Sequence, residues 1–153
     1  GLNDGAAVTL LMSRQAAGQA GFSPSMRWVA TAVAGVDPTI MGTAPVPATE
    51  KVLAKAGLTM DDMDIIEINE AFAVQALYFY DRMGLKYDDP RVNKWGGAIA
   101  YGHPLAASGP RLVAFMKGLF AENPNARYGL TTMCVGRGQG YSVIWENLKR
   151  NHA

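Results

Sequence analysis

The chain has 153 residues, 49% of them hydrophobic and 18% charged, which fits one globular domain and excludes a disordered segment. The formal charge is +1 and Lys and Arg are scattered, so nothing points to nucleic acid, and no apolar run reaches the roughly 18 residues a membrane span needs. One cysteine, Cys134, and two histidines, His103 and His152, exclude an internal disulfide and are too few for a structural zinc site.

The chain opens "GLNDGAAV", without Met, and enters an apolar run within five residues, as the interior of a longer protein would. Residues 6–12 suit a buried strand, and "SRQAAGQAGF" follows as a short helix with Ser13 at its N-cap. "RWVATAVAG" alternates and carries β-branched residues, which predicts a second strand. The Gly- and Pro-rich "VDPTIMGTAPVPA" is loop. Pro47 can open the helix "ATEKVLAKA", with Gly57 at its C-terminal cap. Thr59 and Asp62 have capping-box spacing.

"DIIEIN" is a compact strand ended by Asn69. "EAFAVQALYFYDRMG" reads as a helix apolar nearly all round, hence deeply buried, and ending at Gly84. Residues 85–107 are mostly loop. A helix runs from Ser108 to about Glu122, with Leu112, Phe115, Met116, Leu119 and Phe120 marking its core face. "YGLTTMCV" and "YSVIWENL" are strands joined by "GRGQG" as a hairpin. Five strands alternating with helices predict an α/β layered fold, a mixed five-stranded sheet with helices on both faces.

Three polar residues stand at strand ends or before helices, beside glycines, where open α/β sheets bind ligands. Asn69 is a favoured N-cap type, and its amide can equally hold a water or a substrate oxygen. Glu70 follows it, where a carboxylate suits the helix dipole. His103 lies in a loop between Gly102 and Pro104. A neutral imidazole there can donate to a developing oxyanion while its other nitrogen is held by the protein. Cys134 fits either a small buried hydrophobe or, beside Gly136, Gly138 and Gly140, a nucleophile or proton-transfer group. "GRGQG" opens no helix and lacks the Lys-Ser/Thr of a phosphate-binding loop.

Together these segments resemble the thiolase family. Its C-terminal half carries N-E-A-F, then G-G-A-I-A-x-G-H-P-x-x-x-S-G-x-R, then C-x-G-x-G-x-G. This chain has "NEAF" at 69–72, "GGAIAYGHPLAASGPR" at 96–111 and "CVGRGQG" at 134–140, with "LNDGAA" and "MGTAPVPA" also family-like. The resemblance covers essentially the whole chain, residues 1–153, as a thiolase C-terminal domain. It implies a thiolase-like layered fold and acyl transfer to or from coenzyme A, by thiolytic cleavage of 3-ketoacyl-CoA or condensation of acetyl-CoA.

By the same resemblance Cys134 is the acid/base and His103 assists thiol activation and donates to the thioester oxygen. Asn69 holds the water that is the other donor, and the Gly136 N–H helps bind the acyl-enzyme oxyanion. Met41, Trp95 and Arg137 are candidates for lining the substrate pocket. Trp95 and Arg137 depart from the family pattern, Trp95 standing where Asn is usual. The nucleophilic cysteine and much of the CoA-binding loop region belong to an N-terminal half this sequence lacks. The implied partners are that half, the acyl-CoA substrate and further copies in a dimer or tetramer. Coenzyme A thioester is substrate, with no tightly bound cofactor and no metal. The cytoplasm of a bacterium or an organellar matrix of a eukaryote is the expected place. A non-catalytic binding or assembly module on the same fold is the competing expectation.

Overall fold

The computed structural model of the protein describes residues 3–150. Leu2 of the "LNDGAA" run and His152 lie outside the described residues. Short-range signals set most element ends. Helix α1 (Arg14–Gln19) starts where the Ser13 hydroxyl accepts from the Ala16 N–H at 3.1 Å. Strand β1 is Met26–Gly35, and α2 is Pro45–Ala56. Proline suits that first turn, whose N–H groups have no helical partner, and Gly57 closes the helix at φ 66°. The Thr59 backbone N–H and hydroxyl both donate to Asp62 Oδ2 at 2.7 Å, forming the expected capping box. Strand β2 is Ile65–Ile68, α3 is Ala73–Met83 with Gly84 left-handed after it, and α4 is the single turn Ala98–Tyr101. Helix α5 is Ser108–Glu122, and β3 (Tyr128–Val135) turns through three residues into β4 (Gln139–Asn147).

The sheet order is β1-β4-β3-β2. Strand β4 is antiparallel to both β1 and β3, whereas β2 runs parallel to β3. Val46, Val52 and Leu53 of α2 and Phe79 of α3 pack with Ala30, Ile66, Ile68, Leu130 and Ile144 on one face. Met116, Leu119 and Phe120 of α5 pack with Ile65, Val143 and Trp145 on the other. Helices therefore cover both faces of a mixed sheet, as expected.

Two expectations are corrected. The sheet has four strands, not five, because residues 6–12 pair with nothing among the described residues. Val8 is 94% exposed and Leu10 67%. Apolar composition makes a strand only where another strand completes its ladder. The segment instead crosses the α5 side of the sheet, where Thr9 and Leu11 border a hollow of about 270 Å³ with Trp28, Met133 and Tyr141. Helix α3, in turn, begins at Ala73 rather than Glu70 and is not deeply buried. Phe79 and Ala76 face the core, while Val74, Leu77 and Tyr78 are exposed, because among the described residues no layer covers that side.

Below the end of the sheet that carries Asn69 and Cys134, three buried hydroxyls lock α2 to the hairpin. Thr132 and Ser142 oxygens lie 2.8 Å apart, and Thr49 is 3.1 Å from Ser142 and 3.3 Å from Thr132. Removing one leaves buried partners short of a bond. Ser142→Ala is expected to lower stability by about 1–3 kcal/mol, read from the urea midpoint. An unchanged midpoint would show that the triangle holds nothing.

Candidate active site

Parallel strands β2 and β3 end at the same edge of the sheet, and the backbone joins their ends. The Asn69 N–H donates to the Thr132 carbonyl at 2.9 Å, two residues before Cys134. Asn69 is not a helix cap. The N-cap of α3 is Phe72, and Asn69 is wholly buried with its amide turned to other partners. Its Oδ1 accepts from Arg111 Nη2 at 3.3 Å, and its Nδ2 stands 3.3 Å from His103 Nε2. The Arg111 bond fixes which end of the amide is oxygen, since a guanidinium only donates. The Asn69 NH₂ therefore donates to Nε2, which carries a lone pair. His103 Nδ1 then holds the proton and donates to the Ser108 hydroxyl at 2.7 Å.

The electrostatics agree with that tautomer. Burial and, secondly, the Arg111 charge depress the His103 imidazole below its ordinary value, so it is neutral at pH 7. Arg111 also donates to the Gly102 carbonyl at 2.7 Å. One side chain thus holds both the strand end and the histidine loop. Cys134 is buried at the end of β3, and burial pushes its thiol above the ordinary value. Among the described residues its sulfur makes no hydrogen bond to Asn69 or His103. It shares their end of the sheet.

The remaining candidates fall in three places. The Gly136 N–H finds no backbone acceptor among the described residues, and open space surrounds that glycine. Met41 is half-buried in the 3-10 turn Pro38–Thr43, which packs against the hairpin and α3. Arg137 is exposed at the hairpin tip with φ 67°. Trp95 lies against α5: its Nε1 donates to Glu122 at 3.2 Å and its ring meets Phe115 edge-on at 5.6 Å. Any β-carbon on Gly118 would collide with that indole. Phe115 in turn carries Tyr101 at 5.5 Å and Arg111 at 6.0 Å. Trp95 therefore buttresses the Arg111 clamp through Phe115.

Comparison with known proteins gives the family. The family model described as "Thiolase, C-terminal domain" matches residues 22–147. The chain belongs to the thiolase family. It is 52% identical over 148 residues to an Escherichia coli (strain K12) 3-oxoadipyl-CoA/3-oxo-5,6-dehydrosuberyl-CoA thiolase, covering 97% of this chain and 37% of that protein. A Vibrio cholerae 3-ketoacyl-CoA thiolase is 52% identical over 146 residues, covering 95% and 38%. The crystal structure of human mitochondrial 3-ketoacyl-CoA thiolase superposes with a TM-score of 0.84 at 41% identity, covering 89% of this chain and 34% of that one. This thiolase chain thus spans a little over a third of the length of the curated relatives it matches.

Residues outside the candidate set hold this site together. Asn93, at φ 45°, donates to the Ile68 carbonyl at 3.0 Å and accepts from the Ile68 N–H at 2.9 Å, mimicking a strand partner. It also donates to Glu70 Oε1 at 2.7 Å, while Glu70 Oε2 accepts from the Ile99 N–H at 3.2 Å. Glu70 is thus a tether between the "NEAF" turn and the "GGAIA" loop rather than a first-turn dipole partner. Gly97 is glycine because the Glu70 carboxyl fills the space of a β-carbon. Local spacing carried no signal for Asn93 or Arg111, whose partners lie about 25 and 42 residues away.

Glu67, one turn of the pleat before Asn69, is wholly buried, and neither carboxyl oxygen has a partner. Burial, then repulsion from Glu70, push it up to about 8 against a weaker opposing pull from Arg111.

Two outcomes follow from this geometry. Glu70→Ala is expected to free the Ile99 amide, raising its hydrogen-exchange rate by tenfold or more while amides in α2 stay protected. Equal protection in both forms would show that the tether is idle. Stability should also depend on pH through Glu67. Its folded value lies above its ordinary 4.5, so the native state keeps a proton that the unfolded chain releases. The stability tied to that proton is complete below about pH 4.5 and is lost as pH rises toward 8. The urea midpoint should fall across that window, and Glu67→Gln should flatten the fall.

Proposed function

We propose that this chain supplies the acid/base and oxyanion half of a thiolase active site, acting on a coenzyme A thioester. The observation that carries the reading is the pairing of Asn69 with the lone-pair nitrogen of a neutral His103. It stands at the sheet end that also bears Cys134 and the Gly136 N–H.

In the cleavage direction, a nucleophilic cysteine on the N-terminal half attacks the 3-keto carbonyl. His103 Nε2 takes that thiol proton, and the resulting N–H can then donate to a substrate oxygen. The carbon–carbon bond breaks, and the electron pair moves onto the acetyl-CoA enolate, whose charge rests on the thioester oxygen. Asn69, which in the free site donates to Nε2, turns to a water at that oxygen. Cys134, protonated because burial raises its thiol, returns a proton to the enolate carbon. The Cys134 thiolate then takes the proton of the incoming coenzyme A thiol, which attacks the acyl-enzyme carbonyl while the Gly136 N–H serves the oxyanion. The acyl–cysteine bond breaks, and the departing cysteine thiolate recovers its proton from His103. Condensation is the same path reversed. Fixed donors at such oxygens are worth roughly 2.7–4 kcal/mol each.

Partners follow from surface chemistry. Phe72, Val74 and Leu77 expose 59%, 74% and 49% of their surface at the start of α3, and an apolar patch of that kind marks an interface. The N-terminal half is the partner we assign, with further copies completing a dimer or tetramer. Met41, beside the hairpin, and Arg137, at its tip, remain the side chains we assign to substrate selection; Trp95 reaches the site through Phe115.

The enzyme assembled from this chain and its N-terminal half is expected to cleave acetoacetyl-CoA in a CoA-dependent reaction. Cys134→Ala and His103→Ala should each lower kcat by about 10²-fold or more. A folded assembly without cleavage, or one whose rate is unchanged by Cys134→Ala, would favour a non-catalytic module instead.

A further inference from the structure

Glu67 is the one buried acid in the described residues whose carboxyl oxygens are both unpartnered. A buried carboxylate in that condition is strongly unfavourable, so the group stays protonated or finds a counter-charge. The groups that act on it are few. Glu70 lies in the turn after its own strand, and Arg111 comes from α5. Its neighbour on β3, Thr131, is uncharged and accepts from Trp145. Arg91, beside β2, is spent on Asp89 and on the Met60 and Met63 carbonyls. Among the described residues Arg111 is thus the one cation that acts on it, and its Nε–H is itself buried without a partner. Yet Arg111 directs its other nitrogens to Asn69 Oδ1 and the Gly102 carbonyl.

Side chains two apart on a strand share a face, so Glu67 and Asn69 both address the α5 side. Ionised, Glu67 would give Arg111 a counter-ion. That would draw the guanidinium off Asn69, where its bond is already long, and cancel the positive field on His103. Protonated, it leaves the cation where it is.

We propose that Glu67 is a positioning residue of this site: as a neutral acid it leaves Arg111 uncompensated, and Arg111 in turn orients the Asn69 amide and adds to the burial that keeps His103 an uncharged imidazole. Arg111 is one of the causes that depress His103, which makes the link measurable at the ring.

The experiment is a paired NMR titration of the chain, with ¹³C at the glutamate carboxyls and ¹⁵N in the histidine rings. One carboxyl, assigned to Glu67 by its loss in Glu67→Gln, should titrate near 8, well above the others. The His103 ring should show its main step below about 6.5 and a second, smaller inflection coincident with Glu67. Glu67→Gln should abolish the second inflection and leave the main step in place. Should that variant fail to fold, Glu67→Asp, which also removes that glutamate signal, supplies the assignment and the wild-type coincidence decides. A Glu67 carboxyl titrating with the exposed glutamates, or a His103 ring blind to its ionisation, overturns the proposal. The site is the one assigned to acyl transfer above, but no turnover is measured, so failure here leaves that assignment standing.

Discussion

Arg111 is the constraint on which the site depends. It projects from the first turn of α5 and binds two backbone-distant points at once, the amide that ends β2 and the carbonyl that precedes His103. A charged donor bonded to neutral oxygens is worth more than a neutral one, and a planar fork holds two acceptors in fixed relation. Burial first, and then the same charge, keep His103 neutral. Arg111 therefore bears on both the position and the protonation state of the histidine. Phe115 lies under the guanidinium, and Trp95 and Tyr101 pack on Phe115, so the clamp rests on an aromatic cluster rather than on solvent.

Around that clamp, irregular chain is held as firmly as regular chain. Residues 85–107 contain only the α4 turn and a 3-10 turn, yet their polar groups are tied to β2 and to the turn after it. Asn93 supplies the donor and acceptor that β2 would otherwise lack at Ile68, and Val92 bridges Ile66 beside it. Glu70 then carries the connection on to Ile99. A loop whose backbone is hydrogen-bonded to a strand can hold a side chain to the fraction of an ångström that acid–base chemistry needs. Sub-optimal φ at Asn93 is the cost of that arrangement.

What was readable beforehand divides by range. Ser13, Gly57, Gly84 and the Thr59–Asp62 pair act within four residues, so their spacing is their mechanism. The hairpin at 136–138 was readable for the same reason. The thiolase-like motifs singled out Asn69, His103 and Cys134, and the fold brings Asn69 to His103 and leaves Cys134 at the same end of the sheet. Residues 6–12 misled because an apolar run states only that water is avoided, not that a strand stands beside it. Asn69 looked like a cap because Asn before a helix usually is one. Its true partners, Arg111 and His103, lie 42 and 34 residues on. Glu67 was hidden inside "DIIEIN", where strand composition drew attention away from a buried acid. Trp95 made sense only once Gly118 was seen beneath it.

The state of Cys134 is the last step. A nucleophilic thiol is usually found where positive charge lowers its pKa. Here burial acts the other way, and no cation stands beside the sulfur in the described residues. Arg111, the nearest candidate by function, is committed to Asn69 and Gly102, and its field is spent on His103. A thiol left protonated by its surroundings is poorly suited to attack but well suited to give a proton to a carbanion, whose basicity far exceeds its own. The protonated, buried Cys134 therefore fits the proposed role of giving a proton to an enolate better than that of attacking a carbonyl. The lone pair that His103 presents at Nε2 fits the proposed role of receiving a thiol proton.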